Sequence, residues 1–184
     1  MTLYALAILA LIAAIGFEMR FAGDDRPNAQ ASTLKTASTA CLALIGVLAG
    51  SPVWIVLGLA FGALGDFALS RPGDRWFLAG MLAFALGHMA YVAEFAARIG
   101  PGPLPWVFTP VLGLMIALML VAVFWIAPKA GKFCLPVRLY ALVIGAMALG
   151  AAALPAAPGH TILQIGVAMF VASDLVLALR LFVL

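Results

Sequence analysis

The chain has 184 residues, 66% of them apolar and only 9% Asp, Glu, Lys or Arg, against roughly 45–50% and about 25% in soluble domains, so too little polar surface exists to cover a water-soluble globule. A formal net charge of +3 does not point to nucleic acid, because the ten Lys and Arg stand singly between apolar runs and form no basic patch. What remains is a body whose outer solvent is hydrocarbon.

A helix needs about 20 apolar residues to cross a ~30 Å hydrocarbon layer. Seven runs near that length lie between polar or Pro/Gly breaks, at approximately 3–19, 34–50, 53–70, 76–97, 106–127, 137–154 and 161–182. The first opens at Leu3 with no basic residue before it and no polar cleavage region after it, which predicts a first membrane helix and not a cleaved leader. The breaks at 23–28, 50–52, 71–75, 100–103, 128–136 and 155–159 are rich in Gly, Pro, Asp and Asn, as turns are. None is long enough for a second domain, so the expectation is an all-α, polytopic membrane helical bundle of seven spans in one domain, 1–184. Cys41 falls inside a run and Cys134 in a predicted loop, and two cysteines make no disulfide framework.

Alternating the spans across the bilayer puts Arg20, Arg26, Lys35, Arg71, Arg75, Lys129, Lys132, Arg138 and Arg180 on one side and Arg98 alone on the other. Because Lys and Arg are retained in the cytoplasm, this predicts an outward N-terminus and a cytoplasmic C-terminus.

Most of the acids have an ordinary explanation. Glu18, Asp24, Asp25 and Asp74 border loops, and Glu94 precedes Arg98 by four residues, as in a surface ion pair. Asp66 and Asp174 differ, because each lies inside a span, where an ionisable group is costly unless it faces a bundle interior or a wet cavity. Their surroundings match: Gly58-Leu59-Ala60, five residues, Gly65-Asp66, two residues, Leu69 overlays Gly166-Val167-Ala168, five residues, Ser173-Asp174, two residues, Leu177. The copies are four spans apart, which predicts an internal four-helix repeat with both carboxylates at similar depth in the cytoplasmic third. Gly58, Gly62 and Asp66, at intervals of four, read as one small-residue face open to a neighbouring helix.

Two carboxylates brought together in a low-dielectric site cannot both ionise easily, so the pair would hold one proton and supply a general acid beside an anion. Simple hydrogen bonding of each Asp to a neighbouring helix is the plainer alternative. His88 lies in the fourth span with Phe84 and Tyr91 on its face, ~18 Å along the helix from Trp76 and deeper than either Asp. Lys35 and Tyr140 lie near helix starts on the cytoplasmic side, where either interfacial anchoring or contact with a lipid head group suits them. One buried His with distant acids is no metal-ligand set, and no cofactor is expected.

Lys35, Gly65-Asp66, Phe84-x-x-Gly87-His88-x-x-Tyr91, Tyr140 and Ser173-Asp174, in this order among these spans, resemble the YhhN-like lysoplasmalogenase family over nearly the whole chain. The resemblance implies a bundle of typically eight spans that hydrolyses the vinyl ether of a lysophospholipid in the membrane, releasing a fatty aldehyde and a glycerophospho-base. It puts Asp66, His88, Tyr91 and Asp174 on the family's motif positions, and it implies a bacterial inner-membrane protein. Two departures stand out: Thr36 follows Lys35 where the family usually has Pro, and seven spans are counted up to Leu184.

Other functional classes stay open. Ala63-Leu64-Gly65-Asp66-Phe67 is similar to the Gly-x-Gly-Asp signature of presenilin-like intramembrane aspartyl proteases, but Ala63 replaces the first glycine and no Tyr-Asp partner or Pro-Ala-Leu motif exists. Repeated intramembrane acids also suit a transporter or a lipid-binding protein.

Overall fold

The computed structural model describes residues 2–21 and 29–184, and the predicted turn at 23–28, with Asp24, Asp25 and Arg26, lies outside them. The described residues hold seven α-helices and no strand: α1 (Thr2–Phe21), α2 (Ala29–Leu48), α3 (Val53–Leu69), α4 (Asp74–Arg98), α5 (Phe108–Val121), α6 (Cys134–Ala153) and α7 (His160–Phe182). Each corresponds to one predicted span. Leu11, Met19, Leu82, Phe124 and Ile162 are among many large apolar side chains left exposed, which is stable only in hydrocarbon. This is a polytopic helical membrane protein.

Local chemistry sets the ends. After α2, Gly50 takes a left-handed φ of 66° while its N–H bonds the Val47 carbonyl at 3.1 Å and the Ser51 N–H bonds Gly46 at 2.9 Å. This is the Schellman pattern, which satisfies the last carbonyls of a helix, and Pro52 follows to begin α3.

The run Phe108–Ala153 is helical over 46 residues, about 69 Å at 1.5 Å per residue, more than twice the hydrocarbon thickness. It therefore has to cross twice. Pro128 cannot donate to a carbonyl four residues back, and the chain responds with a π-helical turn at Ala122–Ile126 followed by 3-10 turns at Ala127–Phe133. Gly131, at φ 56° and ψ −118°, then breaks the run. Cys134 is the first residue of α6, not a loop residue as the sequence suggested, because Pro136 falls in the first helical turn, where its missing N–H costs nothing.

All four tryptophans, Trp54, Trp76, Trp106 and Trp125, are exposed and lie at or near helix ends, as membrane-interface anchors do. Arg71 lies 4.2 Å over the Phe67 ring and Lys129 lies 4.6 Å over Trp125.

The chain divides into two compact units, Met1–Tyr91 and Val92–Leu184, with the boundary inside α4. Asp66 belongs to the first and Asp174 to the second.

Candidate functional site

In the first unit the site is built on α3, between α2 and α4. Residues on an α-helix are about 100° apart, so each step of four turns the face by about 40°. Gly58, Gly62 and Asp66 therefore drift around α3 and do not keep the single face expected from their spacing. Gly58 lies under the Tyr91 ring, close enough that a Cβ there would overlap it, whereas Gly62 faces the Thr39 methyl on α2, 3.4 Å from an added Cβ. Gly65 lies under Phe84, whose ring would be 2.6 Å from a Cβ. Gly58 and Gly65 thus admit two aromatic rings from α4, and Gly62 and Asp66 belong to the α2 side.

On that side Asp66 is 8% exposed and both of its oxygens are engaged. The Lys35 ammonium is 3.4 Å from Oδ1, and the Thr39 hydroxyl donates to Oδ2 at 2.7 Å. Lys35 and Thr39 are one helical turn apart on α2, so a single helix face presents both donors. Lys35 remains partly in reach of solvent, its side chain 40% exposed, with the ammonium 6.0 Å from the centroid of the Phe17 ring. Nearer the end of α3, Ser70 donates to the Phe67 carbonyl at 2.7 Å. Its proton is thereby committed, so Ser32 donates in the 2.5 Å contact between the two hydroxyls.

His88 is almost fully buried. Its Nδ1 lies 2.5 Å from the Phe84 carbonyl, which can only accept, so Nδ1 carries a proton. Tyr91 meets it edge to face at 6.4 Å between centroids. Because Phe84 is level with Gly65, and His88 is four residues or about 6 Å further along α4, the imidazole lies deeper than the Asp66 carboxylate.

In the second unit Tyr140 of α6 donates to Asp174 Oδ2 at 2.7 Å. Asp174 is half-buried, and α7 carries no fully buried residue, unlike α3. Glu94 does pair with Arg98, but its side chain is buried and only Arg98 is at the surface.

The six site residues expected from the sequence thus fall into two clusters, Lys35, Asp66, His88 and Tyr91 in the first unit and Tyr140 with Asp174 in the second. Thr39 was missed. Its signal was present, because Ser32, Lys35, Thr36 and Thr39 form a polar stripe at helical spacing along an otherwise apolar helix.

A family model described as the YhhN family matches residues 30–184, a stretch that contains every residue of both clusters. A bovine (Bos taurus) protein named lysoplasmalogenase TMEM86A is 33% identical over 140 residues, which cover 70% of this chain and 53% of that protein. The chain therefore spans about half the length of the curated relative it matches. No solved structure matches.

Proposed function

The chain belongs to the YhhN family, and on that premise we propose that it is a membrane-embedded hydrolase cleaving the vinyl ether bond of lysoplasmalogens to a fatty aldehyde and a glycerophospho-base. The observation that carries the proposal is the buried Asp66 carboxylate, seated in an apolar helix yet supplied with two donors, Lys35 and Thr39. The lysoplasmalogenase name of the bovine relative agrees with it.

Vinyl ether hydrolysis begins with transfer of a proton to the β-carbon, which leaves an oxocarbenium ion. Water adds to the cationic carbon and loses its proton, and the hemiacetal collapses to an aldehyde and the glycerol hydroxyl. One water is consumed and no electrons change hands. The demands are a proton donor, an anion beside the cation and a base for water. Asp66 and Asp174 are proposed to meet the first two. Nε2 of His88 is a base suited to water, with Tyr91 packed against the ring to orient it. Lys35 on α2 and Tyr140 on α6 are the polar side chains proposed to lie along the path of the head-group phosphate.

Continuous helix surrounds both acids in α3 and α7, whereas ion-coupled transporters place such groups at broken helices. This favours the hydrolase over transport. In the proposed orientation the N-terminus faces outward and the cation-rich side is cytoplasmic, in a bacterial inner membrane.

Purified protein given a lysoplasmalogen should release fatty aldehyde, and Asp66→Asn or Asp174→Asn should abolish release while circular dichroism and elution volume stay unchanged. Undiminished turnover in both variants would remove the carboxylate mechanism. Absence of aldehyde from the unmodified chain across ethanolamine and choline head groups would remove the hydrolase reading itself.

A further inference from the structure

We infer that Asp66 is the permanent anion of the site, and that Lys35 and Thr39 are positioning residues that hold it in that state, Lys35 serving the carboxylate before any lipid phosphate. The inference rests on the hydrolase reading for its chemical meaning, and on the geometry of α2 and α3 for its substance.

Both contacts bring a donor to the same carboxylate, one to each oxygen. An ammonium has only N–H groups to offer, so Lys35 at 3.4 Å from Oδ1 favours the ionised acid. Thr39 has one proton and two acceptors in view: Oδ2 of Asp66 at 2.7 Å and the Lys35 carbonyl at 3.5 Å. The shorter bond to a charged acceptor is much the stronger, so the hydroxyl points at Asp66. Gly62 faces the Thr39 methyl, and a Cβ there would meet it at 3.4 Å.

A carboxylate among apolar helices is costly unless its charge is matched and its lone pairs are bonded, and these two residues do both. Of about four lone-pair positions on the carboxylate, two are taken. The others can face a developing oxocarbenium ion and an attacking water. A carboxylate fixed at both oxygens stabilises that cation without reorienting, and the proton that starts the reaction must come from another group.

The test uses the purified full-length chain with 1-alkenyl-glycerophosphoethanolamine and the variants Thr39→Val, Thr39→Ser, Lys35→Met and Lys35→Arg. Loss of a hydrogen bond to a charged group should lower kcat roughly tenfold to a hundredfold in Thr39→Val, with KM nearly unchanged and most of the rate recovered in Thr39→Ser. Lys35→Met should also lose kcat, and Lys35→Arg should restore part of it. A raised KM at unchanged kcat in Lys35→Met would make Lys35 a head-group residue and overturn the inference, as would full activity in Thr39→Val. Should Lys35→Met fail to fold, the Thr39 pair, which keeps side-chain size and branching, carries the kinetic test alone.

Infrared difference spectra of the wild-type chain against Asp66→Asn give a readout that does not depend on turnover. The band lost at neutral pH should be a carboxylate stretch, and a carboxylic-acid carbonyl in its place sinks the inference. Absence of aldehyde release from the wild type sinks only the hydrolase reading.

Discussion

Gly58 and Gly166 occupy equivalent places in the sequence repeat, eight residues before Asp66 and Asp174, and the structure predicts opposite responses to the same substitution. At Gly58 a methyl group would enter the Tyr91 ring, whereas at Gly166 nothing among the described residues comes within 4 Å. The gain in helix propensity on replacing Gly by Ala, about 1 kcal/mol, is common to both sites and cancels in the comparison. What remains is overpacking at Gly58, about 1–3 kcal/mol, because an aromatic ring cannot move aside as the tip of a flexible side chain does. Gly58→Ala should therefore melt several degrees below Gly166→Ala in the same detergent, followed by scanning fluorimetry or light scattering. Aldehyde release should fall in Gly58→Ala, since the displaced ring packs on His88, and should persist in Gly166→Ala. Equal melting points and equal turnover would refute the seating of Tyr91 over Gly58, and with it the close α3–α4 contact that positions His88.

Tyr140→Phe removes the donor to Asp174 while keeping the ring, and should lower stability by about 1–3 kcal/mol and reduce aldehyde release, as measured on the purified variant. Gly131→Ala puts a side chain at φ 56° and should cost about 1–3 kcal/mol, whereas Gly113→Ala in α5, with open space around it, should be neutral or stabilising; paired thermal melts compare them. Arg98→Met should destabilise more than Glu94→Gln, because it leaves the buried Glu94 carboxylate without its cation, whereas the amide removes the charge that needed one.

The spans were legible because an apolar run bounded by Gly and Pro admits few other structures in hydrocarbon, and α3 begins at the predicted residue. The errors have local causes. α2 is already helical at Ala29, five residues before the predicted start, because Gln30, Ser32 and Thr33 lower the hydropathy of a segment that is still good helix, and Ser32 and Thr33 find acceptors on Ser70 and the Ala29 carbonyl. The π-helical turn before Pro128 could not be read from residue types, since it records how the backbone absorbs a missing donor. Placing Asp66 in the site needed only its cost in hydrocarbon. Finding Thr39 needed the further question of which donors a helix turn would bring to that acid, and the seat of Tyr91 on Gly58 depended on a helix crossing that no spacing along one chain encodes.

The match between the two Asp segments was legible as sequence, but the donors each acid meets were not. Matching Asp66 with Asp174 suggested two acids equivalent until brought together, with the proton free to reside on either. The structure gives each acid a donor from the preceding helix, Lys35 of α2 for Asp66 and Tyr140 of α6 for Asp174. A lysine there brings a full charge to its acid, and a tyrosine brings a hydroxyl dipole. In a medium of low dielectric a charged partner counts for more than it would in water, because charge–charge terms strengthen as water is excluded. Two carboxylates matched in sequence are thus met by different donors from the preceding helix, Lys35 and Thr39 for Asp66 and Tyr140 for Asp174.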